Sequence, residues 1–151
     1  IAMAIGMFMI FILLILQFGS YLQPLIVISS VPLALIGVFP GLAIIGVPLS
    51  FPGMIGVVAL SGIVVNNGII LVDQLNKLRK RGLDMDSAIL KACVSRLRPI
   101  LLTTLTTVAG LLPLVISQPS WAPLGFTIIF GLIFSTVLTL LVVPLLYRKF
   151  G

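Results

Sequence analysis

Two neighbouring amide side chains, Asn66 and Asn67, stand in the middle of a strongly apolar segment of this 151-residue chain. Polar groups at mid-membrane depth are costly unless a neighbouring helix or a water-filled path satisfies them. Adjacent residues of a helix point about 100° apart, so the two amides cannot face the same neighbour. They are therefore predicted either to form hydrogen bonds that hold adjoining helices together or to line an ion path.

Threonines form a second polar group, in the apolar segment that follows a basic loop. One helical face of that segment carries Thr103, Thr106, Thr107 and Gly110. Thr104 lies beside this face. Hydroxyls at one depth can line a hydrated path, but a helical threonine also commonly donates to the carbonyl four residues earlier. Both interpretations of the threonines are open at this point.

Charged residues flank these segments. Arg96 comes shortly before Pro99, which suits a first helical position, and it is predicted to be an interface anchor or a partner for a carboxylate on another helix. Asp73 ends the amide-bearing segment and is expected to be solvated, with a role as a coupling acid as the weaker alternative. The predicted spans hold no carboxylate at mid-membrane depth, so any proton-carrying acid must come from elsewhere in a longer protein.

The composition predicts that most of the surface of the chain faces lipid. The chain is 60% hydrophobic and 8% charged, whereas a soluble domain carries about 25% charged residues. Its nine Lys and Arg lie only in 77–98 and 148–149, beside the apolar segments, which is typical of cytoplasmic loops and excludes a soluble nucleic-acid-binding face. One cysteine, Cys93, allows no internal disulfide. Without histidine, no His-based metal site or catalytic triad is available, and neither a cofactor, a metal site nor enzymatic activity is predicted.

Hydropathy and turn residues predict an all-α, polytopic membrane bundle of five transmembrane helices plus a short cytoplasmic interfacial helix. A span needs about 20 apolar residues. The predicted spans are about 1–18, 25–45, 53–73, 99–117 and 124–147. A connector at 74–98 joins the third and fourth, and within it Asp84 to Val94 is predicted to form a short separate helix. This helix is expected either to lie along the membrane surface or to be an ordinary packed connector.

The basic residues also predict the orientation of the bundle. The connector and the C-terminal end, Arg148 to Gly151, are expected to be cytoplasmic because positively charged loops stay inside. Two spans separate them, which agrees with both lying on one side. Ile1 is then periplasmic. Because the chain opens on an apolar residue that is not Met, it is predicted to be a piece of a longer protein.

Several motifs together resemble the C-terminal membrane half of resistance–nodulation–division (RND) efflux permeases, in a hydrophobe/amphiphile efflux-like branch. The first is Gly62-Ile-Val-Val-Asn-Asn-Gly-Ile-Ile-Leu-Val-Asp73. The second is the run that begins Arg96-Leu-Arg-Pro-Ile-Leu-Leu-Thr-Thr104, and the third is the final apolar segment through Tyr147. The resemblance covers nearly the whole chain. It implies the membrane half of a proton-driven transporter that exports drugs, amphiphiles or metal ions from the bacterial inner membrane.

The resemblance also implies partners and residue roles. Partners would be an N-terminal membrane half, periplasmic domains, two further copies in a homotrimer, a periplasmic adaptor and an outer-membrane channel, all around a lipid bilayer. Asn66 falls where many members carry a lysine, and Asn67, Thr103 and Arg96 match relay positions. Asparagine at that position also resembles one large branch, so the charge-swap form of the mechanism does not carry over directly. An amide can still hydrogen-bond a protonated or ionised acid on the other half. We expect Asn66 and Thr103 to face each other or a common cavity.

Other interpretations compete with this one. A membrane component of a SecD/SecF-like protein-export complex has a related bundle, with different loops around the third and fourth spans. A fragment that is inactive alone is a further alternative. An intramembrane enzyme is disfavoured because no histidine, paired Asp or Ser/Lys dyad lies at membrane depth. In the efflux family the substrate is chosen by periplasmic domains, so this chain does not reveal it.

Overall fold

The computed structural model describes residues 1–150, with side chains through Lys149, and this part of the chain is all-α, as predicted. The helices are α1 Ala2–Phe18, α2 Leu22–Ile28, α3 Ser30–Ile45, α4 Phe51–Lys80, α5 Met85–Ser117 and α6 Ala122–Phe150. Only Ser29 separates α2 from α3, and the two form one apolar stretch, Leu22–Ile45. The predicted cytoplasmic end at Gly151 lies outside the described residues.

Four of these stretches are long and apolar enough to cross a membrane: α2 with α3, α4, α5 and α6. Helix α1 is equally apolar but has 17 residues. At 1.5 Å per residue it is about 25 Å long, somewhat less than the hydrocarbon core of about 30 Å. The bundle therefore has four long candidate spans and a shorter N-terminal apolar helix, and a fifth crossing by α1 stays a prediction.

The prediction of a separate surface helix in the 74–98 connector is wrong. Helix α4 continues to Lys80, and α5 runs without a break from Met85 through Pro99 to Ser117. Only residues 81–84 lie between the two helices. The reason is packing, because Ala88 and Ala92 are fully buried in a core cluster with residues of α4 and α6. That contact keeps the first turns of α5 in line with its apolar part, at the cost of one backbone hydrogen bond at Pro99.

Glycines end three of the helices, and two of them, Gly19 and Gly46, directly follow predicted spans. Gly19, Gly46 and Gly82 all have positive φ, at 64°, 79° and 87°. The left-handed conformation closes a helix by letting its last carbonyls accept bonds from the turn, and it suits a residue without Cβ. The amide of Gly19 donates to the carbonyl of Ile15, and that of Gly46 donates to the carbonyl of Leu42.

Helix α6 lies at the centre of the bundle and packs against α2, α3, α4 and α5. Its closest neighbour is α3, where Gly37 and Gly41 sit one turn apart against Phe134 and Phe130 of α6. A Cβ at either glycine would overlap the phenylalanine. Small residues let membrane helices approach closely, and van der Waals contact then holds the helices together. On the other side, Gly56 of α4 faces α6 in the same way.

Helix α5 is the least covered of the long helices. In its apolar section 11% of residues are buried, against 50% in each of the other three spans. Its contacts are with α6 and α4, which leaves most of its circumference unpartnered. The predicted threonine face lies on this helix.

Candidate functional site

The two central amides of α4 point in different directions, as predicted from their adjacency. Asn66 is exposed, whereas Asn67 is buried, with 6% of its surface accessible. Within residues 1–150 no hydrogen bond reaches either amide side chain. Gly68, the next residue, packs closely against Val27 of α2. Asn67 is thus held at a helix contact, and Asn66 lies on an open face of the bundle.

The threonines of α5 divide into an exposed and a buried set. Thr103 and Thr106 are exposed, Thr107 is half-buried, and Thr104 is buried. Thr103 donates to the carbonyl of Pro99 at 2.9 Å and Thr104 to that of Ile100 at 2.9 Å, which is the local bonding that competes with a hydrated path. The predicted pairing of Asn66 with Thr103 is not seen as a hydrogen bond within the described residues, although both side chains are exposed.

Thr104 has a partner that the sequence did not indicate. Its hydroxyl lies 2.9 Å from that of Thr136 on α6, and both side chains are buried. Thr136 also donates to the carbonyl of Leu132 at 2.7 Å. Each hydroxyl has one proton, so the bond between the two threonines forms when one of them turns its proton from its carbonyl to the other hydroxyl. Thr104 joins α5 to α6 rather than facing the open side with Thr103.

Arg96 joins α5 to α4. Its Nη2 donates to Oε1 of Gln74 at 3.1 Å, so its partner in this part of the molecule is a neutral amide and not a carboxylate. Its Nε is buried without an acceptor among the described residues. A buried guanidinium N–H without an acceptor is unfavourable, so an acceptor brought next to Arg96 would be stabilising.

Asp73 pairs with a lysine of its own helix. Its carboxylate lies 2.8 Å from Nζ of Lys77, with 37% of the Asp73 side chain accessible. This half-exposed pair agrees with the expectation of a solvated residue at the end of the span. Further along, the pKa of Asp84 is held below its ordinary value, first by the Ser87 hydroxyl and also by the nearby charge of Arg79.

A polar cluster missing from the sequence analysis ties three helices together at the end of the bundle near the basic loop. Asn76 of α4 and Gln23 of α2 exchange two amide hydrogen bonds, at 2.8 and 3.0 Å. The hydroxyl of Tyr147 on α6 donates to Oδ1 of Asn76 at 2.7 Å. Each group is polar in an apolar helix or beside a turn, which is a signal, but nothing in the sequence pairs residues 53 and 71 positions apart.

Metal-binding groups are sparse in the described chain. Among residues 1–150 no group of three or more His, Cys, Asp and Glu side chains is placed to hold a metal ion. The site is therefore a set of neutral hydrogen-bonding side chains and one arginine: Asn66 and Thr103 exposed, Asn67 and Thr104 buried, Thr107 and Arg96 between. Such a set can donate to an anion but cannot itself carry a proton across the membrane.

The chain is similar to known transport proteins along its whole length. A family model described as the AcrB/AcrD/AcrF family matches residues 1–151. The swarming motility protein SwrC of Bacillus subtilis is 40% identical over 153 residues, which cover 98% of this chain and 14% of SwrC. The cobalt-zinc-cadmium resistance protein CzcA of Cupriavidus metallidurans is 36% identical over 152 residues, with coverages of 98% and 14%. The multidrug resistance protein MdtC of Serratia proteamaculans is 40% identical over 146 residues, with coverages of 93% and 14%.

Solved structures agree with these sequence matches. The crystal structure of a heavy metal efflux pump, in its crystal form II, matches with a TM-score of 0.86 and 30% identity over 97% of this chain and 15% of the pump. The chain thus spans about 14% of the length of the curated relatives it matches. The predicted family is confirmed by the match of the whole chain: it belongs to the AcrB/AcrD/AcrF family of RND transporters, as a multi-pass part of their membrane region.

Proposed function

We propose that this chain forms part of the membrane region of a proton-driven exporter in the bacterial inner membrane. In this proposal its exposed polar face meets proton-carrying acids on another part of the full-length protein. The observation that carries the proposal is the exposure of Asn66, Thr103 and Thr106 in the middle of long apolar helices. Lipid offers no hydrogen-bond partner to an amide, so such a face is best satisfied by protein or water.

The low burial of α5 supports the proposal that another part of the full-length protein packs against its exposed side. In the apolar section of α5, 11% of the residues are buried, and the exposed side carries hydroxyl groups. In this respect α5 differs from an ordinary lipid-facing helix. Arg96 adds to this, because its buried Nε lacks an acceptor. An ionised carboxylate placed between α4 and α5 at the level of Asn66 and Thr103 would accept from both side chains. Arg96 lies two turns away, about 10 Å along α5, so its guanidinium would meet a second acid.

Proton binding would change these contacts. An ionised carboxylate accepts several hydrogen bonds, whereas the neutral acid accepts fewer and donates one. Loading a proton therefore releases donors on α4 and α5, and the helices can shift. Asn66, Thr103 and Arg96 are the proposed partners of these acids, and Asn67 supports α4 from the buried side. Asp73, Thr104 and Thr107 have weaker roles, since Asp73 and Thr104 are engaged elsewhere.

The cargo and partners of the full-length protein follow from the family resemblance. CzcA is named for cobalt, zinc and cadmium resistance and MdtC for multidrug resistance, so we propose export of drugs, amphiphiles or metal ions. The hydrophobe/amphiphile branch stays a prediction, because both kinds of relative match at similar identity. A homotrimer with a periplasmic adaptor and an outer-membrane channel is proposed on the same basis, with the connector and the C-terminus cytoplasmic. The match to the AcrB/AcrD/AcrF model favours efflux over the protein-export alternative.

The test is Asn66→Leu in the full-length transporter. We expect the variant to lose export of the drugs, amphiphiles or metal ions that the parent transporter exports, while the amount of protein in the membrane stays normal. Asn66→Gln is the matched control, because it keeps the amide donor and should retain more export than the leucine variant. Unchanged export by Asn66→Leu would show that Asn66 serves packing and would refute its proposed role.

A further inference from the structure

A polar cavity of about 340 Å³ opens at the basic end of the bundle, away from the Asn66 face. It lies where α1 ends, α2 begins and α4 passes the last apolar residues. Its lining consists of Gln17, Phe18, Gln23, Asp73, Asn76, Lys77, Arg79 and Lys80. The amides of Gln23 and Asn76 bond each other and so form a fixed wall of the cavity.

The charges around this cavity favour an anion. Three of its lining residues are cations and one, Asp73, is an acid, so the lining carries a net charge of +2. Asp73 engages Lys77 alone, through an exposed pair of low strength. Arg79 and Lys80 are exposed, and neither forms an ion pair with Asp73, the acid of the lining. A phosphate oxygen in the cavity would gain charge-assisted bonds from these donors.

The position of the cavity decides which anion it meets. Phe18, the last residue of apolar α1, lines it, and exposed Tyr21 lies just beyond at the depth where aromatic side chains border a membrane. The neighbouring surface of α1 is apolar and open, with Leu16 exposed by 76%. A phosphate at this level with apolar chains alongside α1 is the chemistry of a phospholipid rather than of a free ion. Basic pockets between spans are suited to such headgroups.

We propose that this cavity binds the headgroup of an anionic phospholipid from the adjacent leaflet. Lys77, Arg79 and Lys80 hold the phosphate, Gln17 donates to its polar substituent, and the acyl chains lie against α1. Because the pair of Gln23 and Asn76 walls the cavity and bonds Tyr147, a bound lipid rests against the cluster that joins α2, α4 and α6. This inference does not depend on the proposed transport mechanism.

The test uses the purified, delipidated full-length transporter and measures binding of phosphatidylglycerol by native mass spectrometry. The site variant replaces Lys77, Arg79 and Lys80 by glutamine. The control variant replaces three exposed cations outside the cavity, Arg81, Lys91 and Arg98, by glutamine. Each basic residue near a membrane surface strengthens anionic lipid binding by about fivefold, so the site variant should bind about 100-fold more weakly. The control should change binding by less than about fivefold, which is the effect of one charge.

A third variant, Asp73→Asn, guards against misfolding as the cause of lost binding. It removes the only acid of the lining and frees Lys77, so phosphatidylglycerol should bind more tightly, by about fivefold for one charge. Phosphatidylethanolamine should bind more weakly than phosphatidylglycerol, and millimolar inorganic phosphate should not displace the lipid. Equal losses in site and control variants would overturn the proposal, as would displacement by inorganic phosphate. Absence of bound lipid in the unaltered protein would mean that another part of the protein fills the cavity, and would also refute it.

Discussion

Replacing Gly37 by alanine should destabilise the bundle, because α3 and α6 touch there without room for a methyl group. The new Cβ would overlap Cβ of Phe134, which the α6 backbone fixes and which no rotamer change can move. At Gly41 the nearest atom is a ring carbon of Phe130, which a rotation of the side chain can partly withdraw, and the backbone-fixed Cβ of Phe130 is further away, at 2.7 Å. We therefore expect Gly37→Ala to be the more damaging of the two substitutions.

The size of the effect follows from two opposing terms. Overpacking a close helix contact costs about 1–3 kcal/mol. Alanine in place of glycine inside a helix returns about 1 kcal/mol. The net destabilisation for Gly37→Ala is then up to about 2 kcal/mol, the difference between these terms. Gly6→Ala supplies the matched control, since a Cβ at Gly6 of α1 meets nothing within 4 Å. Only the favourable helix term remains there.

The assay is thermal unfolding of the detergent-solubilised full-length transporter, followed by its loss from the monodisperse peak in size-exclusion chromatography. Gly37→Ala should unfold at a lower temperature than the parent protein, Gly41→Ala should lie between, and Gly6→Ala should match or exceed the parent. If Gly37→Ala were as stable as Gly6→Ala, the close contact between α3 and α6 would not exist as described.

Three further predictions concern polar contacts and orientation. In a double-mutant cycle of Thr104→Val and Thr136→Val, the coupling free energy of unfolding should be about 0.6 kcal/mol and less than about 1.7 kcal/mol, because each hydroxyl also bonds a carbonyl. A coupling near zero would contradict the contact. Tyr147→Phe should lower the free energy of unfolding by about 0.5–1.5 kcal/mol. Asn76→Leu should lower it more, because both Gln23 and Tyr147 then lose a hydrogen-bond partner. The reverse order would be inconsistent with the cluster. A cysteine replacing Lys80 should react with an impermeant thiol reagent only after cells are opened, and labelling of intact cells would overturn the topology.

The local features of the fold could be predicted from composition and turn residues. The ends of α1, α3 and α5 fall at turns that Gly19, Gly46 and Gln118 mark in the sequence. The structure of the 74–98 connector could not be predicted in this way. Pro99 and the surrounding cations favour a helix that starts at Pro99, whereas the burial of Ala88 and Ala92 lets α5 begin at Met85. Which helix a residue touches is a tertiary property, and local pattern carries little of it.

The candidate site shows the same division. Spacing placed Asn66 and Asn67 on different faces, because helix geometry alone fixes that angle. Spacing also put Thr104 beside the face that carries Thr103, but it could not show that α6 covers Thr104 and leaves Thr103 open. The bond between Gln74 and Arg96 was missed for the same reason, because it depends on how α4 and α5 cross.

The unbroken course of α5 has a mechanical consequence. A helix of 33 residues is about 50 Å long, so about 20 Å of it extends beyond a hydrocarbon core of about 30 Å. A tilt of about 10° around its middle would swing each end by roughly 4 Å, in opposite directions. Few neighbours hold its apolar section, while Gln74 and the Arg148–Asp86 ion pair tether its basic end. Because α5 runs without a break, a displacement of its loosely packed apolar section would be transmitted along the helix axis to the packed segment at Ala88 and Ala92, next to the loop around Gly82.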